Sequence, residues 1–478
     1  MEEVGMRPLI QRIKWIFLSL VVFVGGVGTA HGFAPRPVKA FGGAGADWVQ
    51  TKAVDANGNI YAAGIFTGTF AMEGQTRTSQ GGFDIFLAKY NSSAQLQWLQ
   101  SYGSTGDDSP STLTIDSQGK IWLLGYFQNT IQFGGGALRS NGNEDIFLAR
   151  FNANGSHEWS SSWGGNGVDT GNYLSINSDS EVVLAGSTDS AELKLGTLTL
   201  RRQGQLDGFV ARLSTSGVFS WAKLYSAGAG RSAEVMVLAH NSKGNPVIGG
   251  YIETNTPQIL SVPKQRPKAK LSANRFRAFS AELARNNGNE AWRRNYDCGG
   301  WCSPSSMGID SQDEIYLAGT FEGSMKIDSI DLRSLGESNF FLSRLRGSNG
   351  AVNWAKAFGG QSYDAGISVE ATASDSVYAV ATITDTLNFG GGALVPGAGK
   401  TSLGLAKFNR SGALQWSEQY VGDEGTGAGG GYGGDSYVTI SPNGDLIING
   451  WFIGTITVNG TRYKSEGSWD SILIFRSP

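Results

Sequence analysis

Of 478 residues only three are histidine, two are cysteine and 12 are proline, and charged residues make up 17%. The 38 Lys+Arg against 41 Asp+Glu leave a net charge of −3, which excludes a generic polyanion binder or a supercharged tail, and no nucleic-acid partner is expected. A Ser-His-Asp site would have to recruit His31, His157 or His240. No nucleophile-elbow, Walker, zincin or dinucleotide motif is present. No apolar run reaches the roughly 18 residues of a membrane span. Against these scarcities stand 40% hydrophobic and 11% aromatic residues, too many for a disordered chain, and 69 glycines, about twice the usual share. Without a Gly-X-Y period, so much glycine implies many tight turns in a large β protein.

The N-terminus carries a targeting pattern. Arg7, Arg12 and Lys14 precede an apolar run from Ile16 to Val24, and small residues follow to Gly28-Thr29-Ala30. We read residues 1–30 as a Sec-type signal peptide, with Met6 as an alternative start, and 31–478 as one exported domain. Neither cysteine lies near the cleavage site, so a lipoprotein anchor is not expected. The expected location is extracellular, cell-surface or periplasmic.

The chain repeats. Trp98, Trp159, Trp221, Trp292, Trp354 and Trp416 follow one another at intervals of 61, 62, 71, 62 and 62 residues. Each has a glycine four residues earlier (Gly155, Gly217, Gly288, Gly350, Gly412), except that Trp98 has Ala94. Within one unit, alternation and turn residues give four strands: Ser111 to Asp116, Lys120 to Phe127, Asp145 to Phe151 and His157 to Trp163. Four short antiparallel strands per unit, with no helical stretch, predict propeller blades.

Third strands begin near Asp84, Asp145, Asp207, Arg277, Asn339, Ser402 and Asp470, but only six Trp-bearing fourth strands follow. Residues 38–43 can be laid on 355–360. The sequence therefore predicts an all-β, seven-bladed β-propeller of four-stranded antiparallel blades, its ring closed by residues 36–43 as the outer strand of the last blade.

The unit resembles the bacterial β-propeller repeat labelled SBBP. Residues 58–64, 83–90, 119–127, 144–151, 313–321 and 354–360 carry the resemblance, through "GNIYAAG"-type second strands, "FDIFLAKY"-type third strands and a Trp followed by "FGG". It implies a secreted or cell-surface propeller and specifies no activity. Blade four departs most, with Arg277 and Glu282 where blade one has Asp84 and Lys89. The turn-plus-Trp element at Asn409 to Trp416 also resembles the Trp-docking turns of quinoprotein propellers, where the Trp locks blade to blade.

Strand parity separates two faces. The one-to-two and three-to-four turns are minimal, such as Asp55-Ala56-Asn57-Gly58. The other face carries long connections, including some 15 residues between Phe66 and Phe83, and is the expected binding face. Counting on from each "FGG" places Asp47, Asp108, Asp169, Arg231, Cys302, Asp364 and Asp435 there. Two readings are open for the five carboxylates: a hard-cation site for Ca²⁺, or a cap on each loop's backbone N–H groups. Repetition in every blade favours the cap.

A basic insertion at 254–279 in blade four carries Lys264, Arg266, Lys268, Lys270, Arg275 and Arg277 with no acidic residue. It suits either an anionic surface or a solvated loop, the latter being commoner. Cys298 and Cys302 are expected to form a short local disulfide in an exported chain. Trp301, Tyr363 and Tyr432 are aromatics suited to sugar stacking or to blade packing. The expected function is a non-enzymatic propeller that binds a ligand, glycan or partner protein through its long-loop face; the alternative is a carboxylate-based hydrolase or lyase acting on an extracellular polymer.

Overall fold

Asx-Gly turns and short alternating segments fold the repeat into antiparallel strands. Asp55 Oδ1 accepts from the amides of Asn57 and Asn59, and Asn91 Oδ1 from those of Ser93 and Gln95, closing the two hairpins of the first unit. The computed structural model describes residues 37–254, 275–372, 375–397, 400–427, 437–467 and 469–477. Residues 1–30, expected to be a signal peptide, most of the basic insertion, Tyr432 and Asp435 lie outside them. Among the described residues no helix is long and apolar enough to cross a membrane.

Blade 1 comprises Asp47–Val54, Ile60–Phe66, Asp84–Tyr90 and Leu96–Tyr102, in that spatial order. The same order recurs in blades 2 to 6, at residues 108–163, 169–225, 233–298, 302–358 and 365–421. Ile60–Phe66 is buried along its whole length and Leu96–Tyr102 only in part. This is the pattern of sheets stacked face to face with their fourth strands at the rim. All six first strands carry a one-residue bulge at the same place, between Val49 and Thr51 in blade 1 and between Gly366 and Ser368 in blade 6.

The expectation of seven four-stranded blades is corrected to six. The sheet that overturns it lies between blades 6 and 1 and is a composite of seven strands. Its inner edge is two short pieces, Gly425–Gly427 and Val438–Ile440, both paired with Leu446–Ile453. Asp470–Arg476 follows, then Val38–Gly43, whose last two residues pair onward with a hairpin of blade 1. The physical reason is glycine: Gly422, Gly425 and Gly427 leave the inner edge before residue 428 few side chains to pack.

Apolar clusters lie between consecutive sheets. Tyr61, Ile85 and Leu87 of blade 1 pack with Leu113, Leu123 and Phe127 of blade 2. Tyr378, Leu403 and Leu405 of blade 6 pack with Leu446, Ile448 and Ile474 of the composite sheet, whose other face meets blade 1 through Phe41, Ile447 and Leu473.

The Trp period marks an interlock between neighbours. Trp159, Trp221, Trp292 and Trp354 donate Nε1–H to the carbonyls of Thr215, Arg285, Gly347 and Arg410, each in the three-to-four turn of the next blade, at 3.0–3.1 Å. The repeat glycine of that turn lies beneath the preceding blade's indole. A Cβ on Gly350 (φ +68) would fall 2.4 Å from Trp292, and one on Gly412 (φ +77) 3.0 Å from Trp354. Trp98 lacks this bond, its Nε1 buried without a partner.

The long two-to-three connections are mostly not loose loops. They form hairpins such as Thr69–Met72 with Gln75–Thr78 and Ser324–Ile327 with Ile330–Arg333. Each of these two clasps the previous sheet: Phe70 pairs with Gly43, and Met325 with Cys298. The expected binding face therefore narrows to the four-to-one connections, which enter the first strands at the mouth of the axis.

Candidate functional site

The register makes Asp47, Asp108, Asp169, Ala233, Cys302 and Asp364 equivalent: Cys302 pairs with Phe321 as Asp47 does with Phe66, and the other five each donate their amide to a carbonyl at the start of the preceding sheet's third strand. Ala233 thus occupies the place that counting had given to Arg231. The four described aspartates act as caps. Asp47 accepts from the Gly43 amide (2.7 Å), Asp169 from Gly165 (2.6 Å) and Ser190, Asp364 from Gly360 (2.7 Å) and Thr384, and Asp108 from Gln128. Among the described residues no group of three or more His, Cys, Asp or Glu is arranged to hold a metal.

The "FGG" motif has a physical explanation here. Its first glycine lets a third-strand side chain lie against the backbone: a Cβ on Gly42, Gly103 or Gly164 would collide with the carboxyl of Asp470, Asp84 or Asp145. Its second position presents an amide to the aspartate of the next blade.

Cys298 and Cys302 are joined in a disulfide that closes the connection between blades 4 and 5. Replacing both by serine is expected to lower the melting temperature by only ~1–2 °C. So short a loop contributes about 2 kcal/mol, and a chain of this size melts with about 1 °C per kcal/mol. Differential scanning fluorimetry checks this.

Trp301 and Tyr363 precede the first strands of blades 5 and 6 at the same register position, where blades 1 to 4 have Ala46, Asp107, Val168 and Ser232. Tyr363 is 42% exposed and Trp301 is half-buried. Between them comes Glu322, just past the second strand of blade 5. Its amide donates to the Trp301 carbonyl (2.8 Å), and its carboxylate receives the Trp301 amide. Burial, with Glu337 nearby, raises the Glu322 carboxyl, and Tyr363 is raised by burial and by Glu322. Spacing could not have singled out Glu322; the departure of positions 301 and 363 from the repeat was the available signal.

Of the basic insertion, Lys264, Arg266, Lys268 and Lys270 lie outside the described residues. The insertion is shorter than expected, because strand Arg275–Leu283 already contains Arg275 and Arg277, and Arg277 pairs with Asp297 (2.8 Å).

Three features were not anticipated. A cavity of about 220 Å³ opens on the short-turn face between blade 1 and the composite sheet, lined by Asn57, Ile60, Ser92, Asn443 and Phe475 among others. Near the axis Lys52 Nζ donates to Asn449 Oδ1 (2.6 Å). Burial lowers this lysine, and it pushes Glu370 of blade 6 up to about 7, where Lys52 pulls the other way. Ser175 Oγ lies 2.7 Å from His240 Nδ1, but burial pushes His240 down to about 4, which leaves it a weak base at neutral pH.

Fold and site together define a β-propeller of four-stranded blades with an aromatic and acidic sector at its mouth. No family model matches the chain. It is similar to the regulatory protein FlaEY of Caulobacter vibrioides, 24% identical over 222 residues, covering 45% of this chain and 23% of that protein. It is also similar to the uncharacterized WD repeat-containing protein L264 of Acanthamoeba polyphaga mimivirus, 20% identical over 341 residues, covering 57% and 24%. The chain thus spans about a quarter of the length of these curated relatives. Among solved structures, the polysaccharide lyase Uly1 aligns over 99% of this chain and 96% of its own, with 11% identity and TM-score 0.46. The quinohemoprotein alcohol dehydrogenase of Comamonas testosteroni aligns over 93% and 77%, with 10% identity and TM-score 0.42. The propeller class rests on the sheet register above rather than on these likenesses.

Proposed function

We propose that the protein is an exported propeller of SBBP-like repeats that binds a glycan at the mouth of blades 5 and 6, through Trp301, Tyr363 and Glu322. The observation that carries this is a local departure from the repeat. Two consecutive blades place large aromatics where the other four have Ala, Asp, Val and Ser, and a carboxylate raised by burial stands beside both. Aromatic faces stack on the C–H faces of sugars, and a carboxyl group bonds their hydroxyls. Export rests on the basic flank, apolar run and small-residue site of residues 1–30.

The same pair of carboxyl groups, Glu322 and Glu337, favours one second reading, proton transfer to a glycosidic polymer. Affinity electrophoresis in gels cast with neutral and with anionic polysaccharides, followed by assay of released reducing ends, separates the two. Retarded migration without product supports binding. Product release moves the assignment to the carboxylate enzyme, and neither effect on any polysaccharide contradicts both.

A further inference from the structure

At the boundaries before blades 1, 2, 3 and 6, a third-strand side chain and the first-strand aspartate of the next blade meet the same two "FGG" residues. Three boundaries carry two aspartates: Asp470 with Asp47, Asp84 with Asp108, and Asp145 with Asp169. All six carboxyls are at most 3% exposed. Five of their oxygens, Asp47 Oδ1, Asp84 Oδ1, Asp108 Oδ2, Asp145 Oδ1 and Asp169 Oδ1, are buried with no donor in good hydrogen-bond geometry, although Thr67, Ser104, Gly142 and Thr188 lie close to Asp47, Asp108, Asp145 and Asp169. Two buried carboxylates side by side, with no cation and with bare oxygens, are costly. No lysine or arginine pairs with any of the six among the described residues. The other charges that bear on them, Glu466 on Asp470 and Asp189 on Asp169, are also acidic.

The boundary between blades 5 and 6 shows what relieves that cost. Asn339 stands where the others have an aspartate. Its Nδ2 donates to the Phe358 carbonyl and its Oδ1 accepts from the Leu335 amide (2.7 Å). Its partner Asp364 then has both oxygens bonded, to Gly360 and Thr384. Asparagine is the neutral isostere of a protonated aspartate, and where it is present no oxygen is left bare.

We propose that the Asp470–Asp47, Asp84–Asp108 and Asp145–Asp169 boundaries each hold one proton between their two carboxyls, so that the propeller tightens in mild acid and loosens above neutrality. The close fit of the third-strand carboxyls against Gly42, Gly103 and Gly164, where an added Cβ would fall 2.1–2.5 Å from the carboxyl carbon, favours a proton over a larger cation. Burial acts in the same direction. From an ordinary value of 3.8, burial pushes Asp47 and Asp108 up to about 7 and Asp84 to about 6, and raises Asp145, Asp169 and Asp470. A carboxyl that binds its proton more tightly folded than unfolded stabilises the fold fully below its unfolded pKa. That contribution is lost as pH rises through the folded value, here across roughly pH 6 to 7.

The test is thermal melting of the full chain between about pH 5.5 and pH 8 for the wild type, Asp145→Asn and Asn339→Asp, each with millimolar calcium and with chelator. The wild-type melt is expected to fall by roughly 3–8 °C from the lower to the higher pH. Asp145→Asn should flatten that slope. Asn339→Asp, which adds a fourth pair, should steepen it, with its loss at pH 8 recovered at pH 5.5. Equal melting of the wild type at both pH values, or a slope unchanged in both variants, overturns the proposal. So does a calcium-induced rise at pH 8 that Asp145→Asn abolishes, because the pair would then hold a cation.

Discussion

Removal of residues 37–43 is expected to lower the melting temperature by ~5–10 °C and to promote aggregation. Val38, Lys39, Ala40 and Phe41 pair with Ile474, Leu473, Ile472 and Ser471. The Phe41 ring meets Phe70 and Phe86 edge-on at 6.0 and 6.2 Å. A buried Phe lost outright costs about 3–5 kcal/mol, and the lost ladder adds a few more. At about 1 °C per kcal/mol for a chain of this length, the sum gives the stated shift. The Asp470–Arg476 strand would then present a bare edge, which favours association between molecules. A melt within about 2 °C of wild type would show that this strand contributes little.

The Trp interlock gives the second large effect. Trp354→Ala removes an indole that seals Gly412 and donates to Arg410, and is expected to cost about 3–5 kcal/mol. Trp→Phe substitution isolates the N–H bond. Trp354→Phe should cost about 1 kcal/mol more than Trp98→Phe, because Trp98 Nε1 has no partner to lose. Chemical denaturation of the two variants checks the difference, and equal costs would remove the hydrogen bond from the account.

The strands and turns were legible because their signals are local. Asp55 to Gly58 and Asn409 to Gly412 are turns by composition, and the period of Trp and Gly revealed a repeat before any contact was known. The hairpins were not legible, since Thr69–Met72 and Gln75–Thr78 are four-residue strands, and the second is polar throughout. Such a segment becomes a strand only by clasping the sheet beside it. The blade count failed for a related reason. Counting third strands assumes that each has an equivalent inner partner, and among the described residues Gly425–Gly427 and Val438–Ile440 supply only short pieces of one.

In the site, the aspartates were legible as positions and as caps. Their pairing with Asp84, Asp145 and Asp470 was not, because the partners lie some 20 residues away or at opposite ends of the chain. Trp301 and Tyr363 were visible as aromatics in the right connections. Their shared register position, and Glu322 between them, emerged only once the bulges had aligned the blades.

The most direct test of the proposed function is affinity electrophoresis of the wild type beside Trp301→Ala and Tyr363→Ala on the polysaccharide that retards it most. Each variant is expected to lose about tenfold in retention, equivalent to about 1.4 kcal/mol, while Tyr363→Ala melts within about 2 °C of wild type. Undiminished retention of both variants would contradict a glycan site at the mouth of blades 5 and 6.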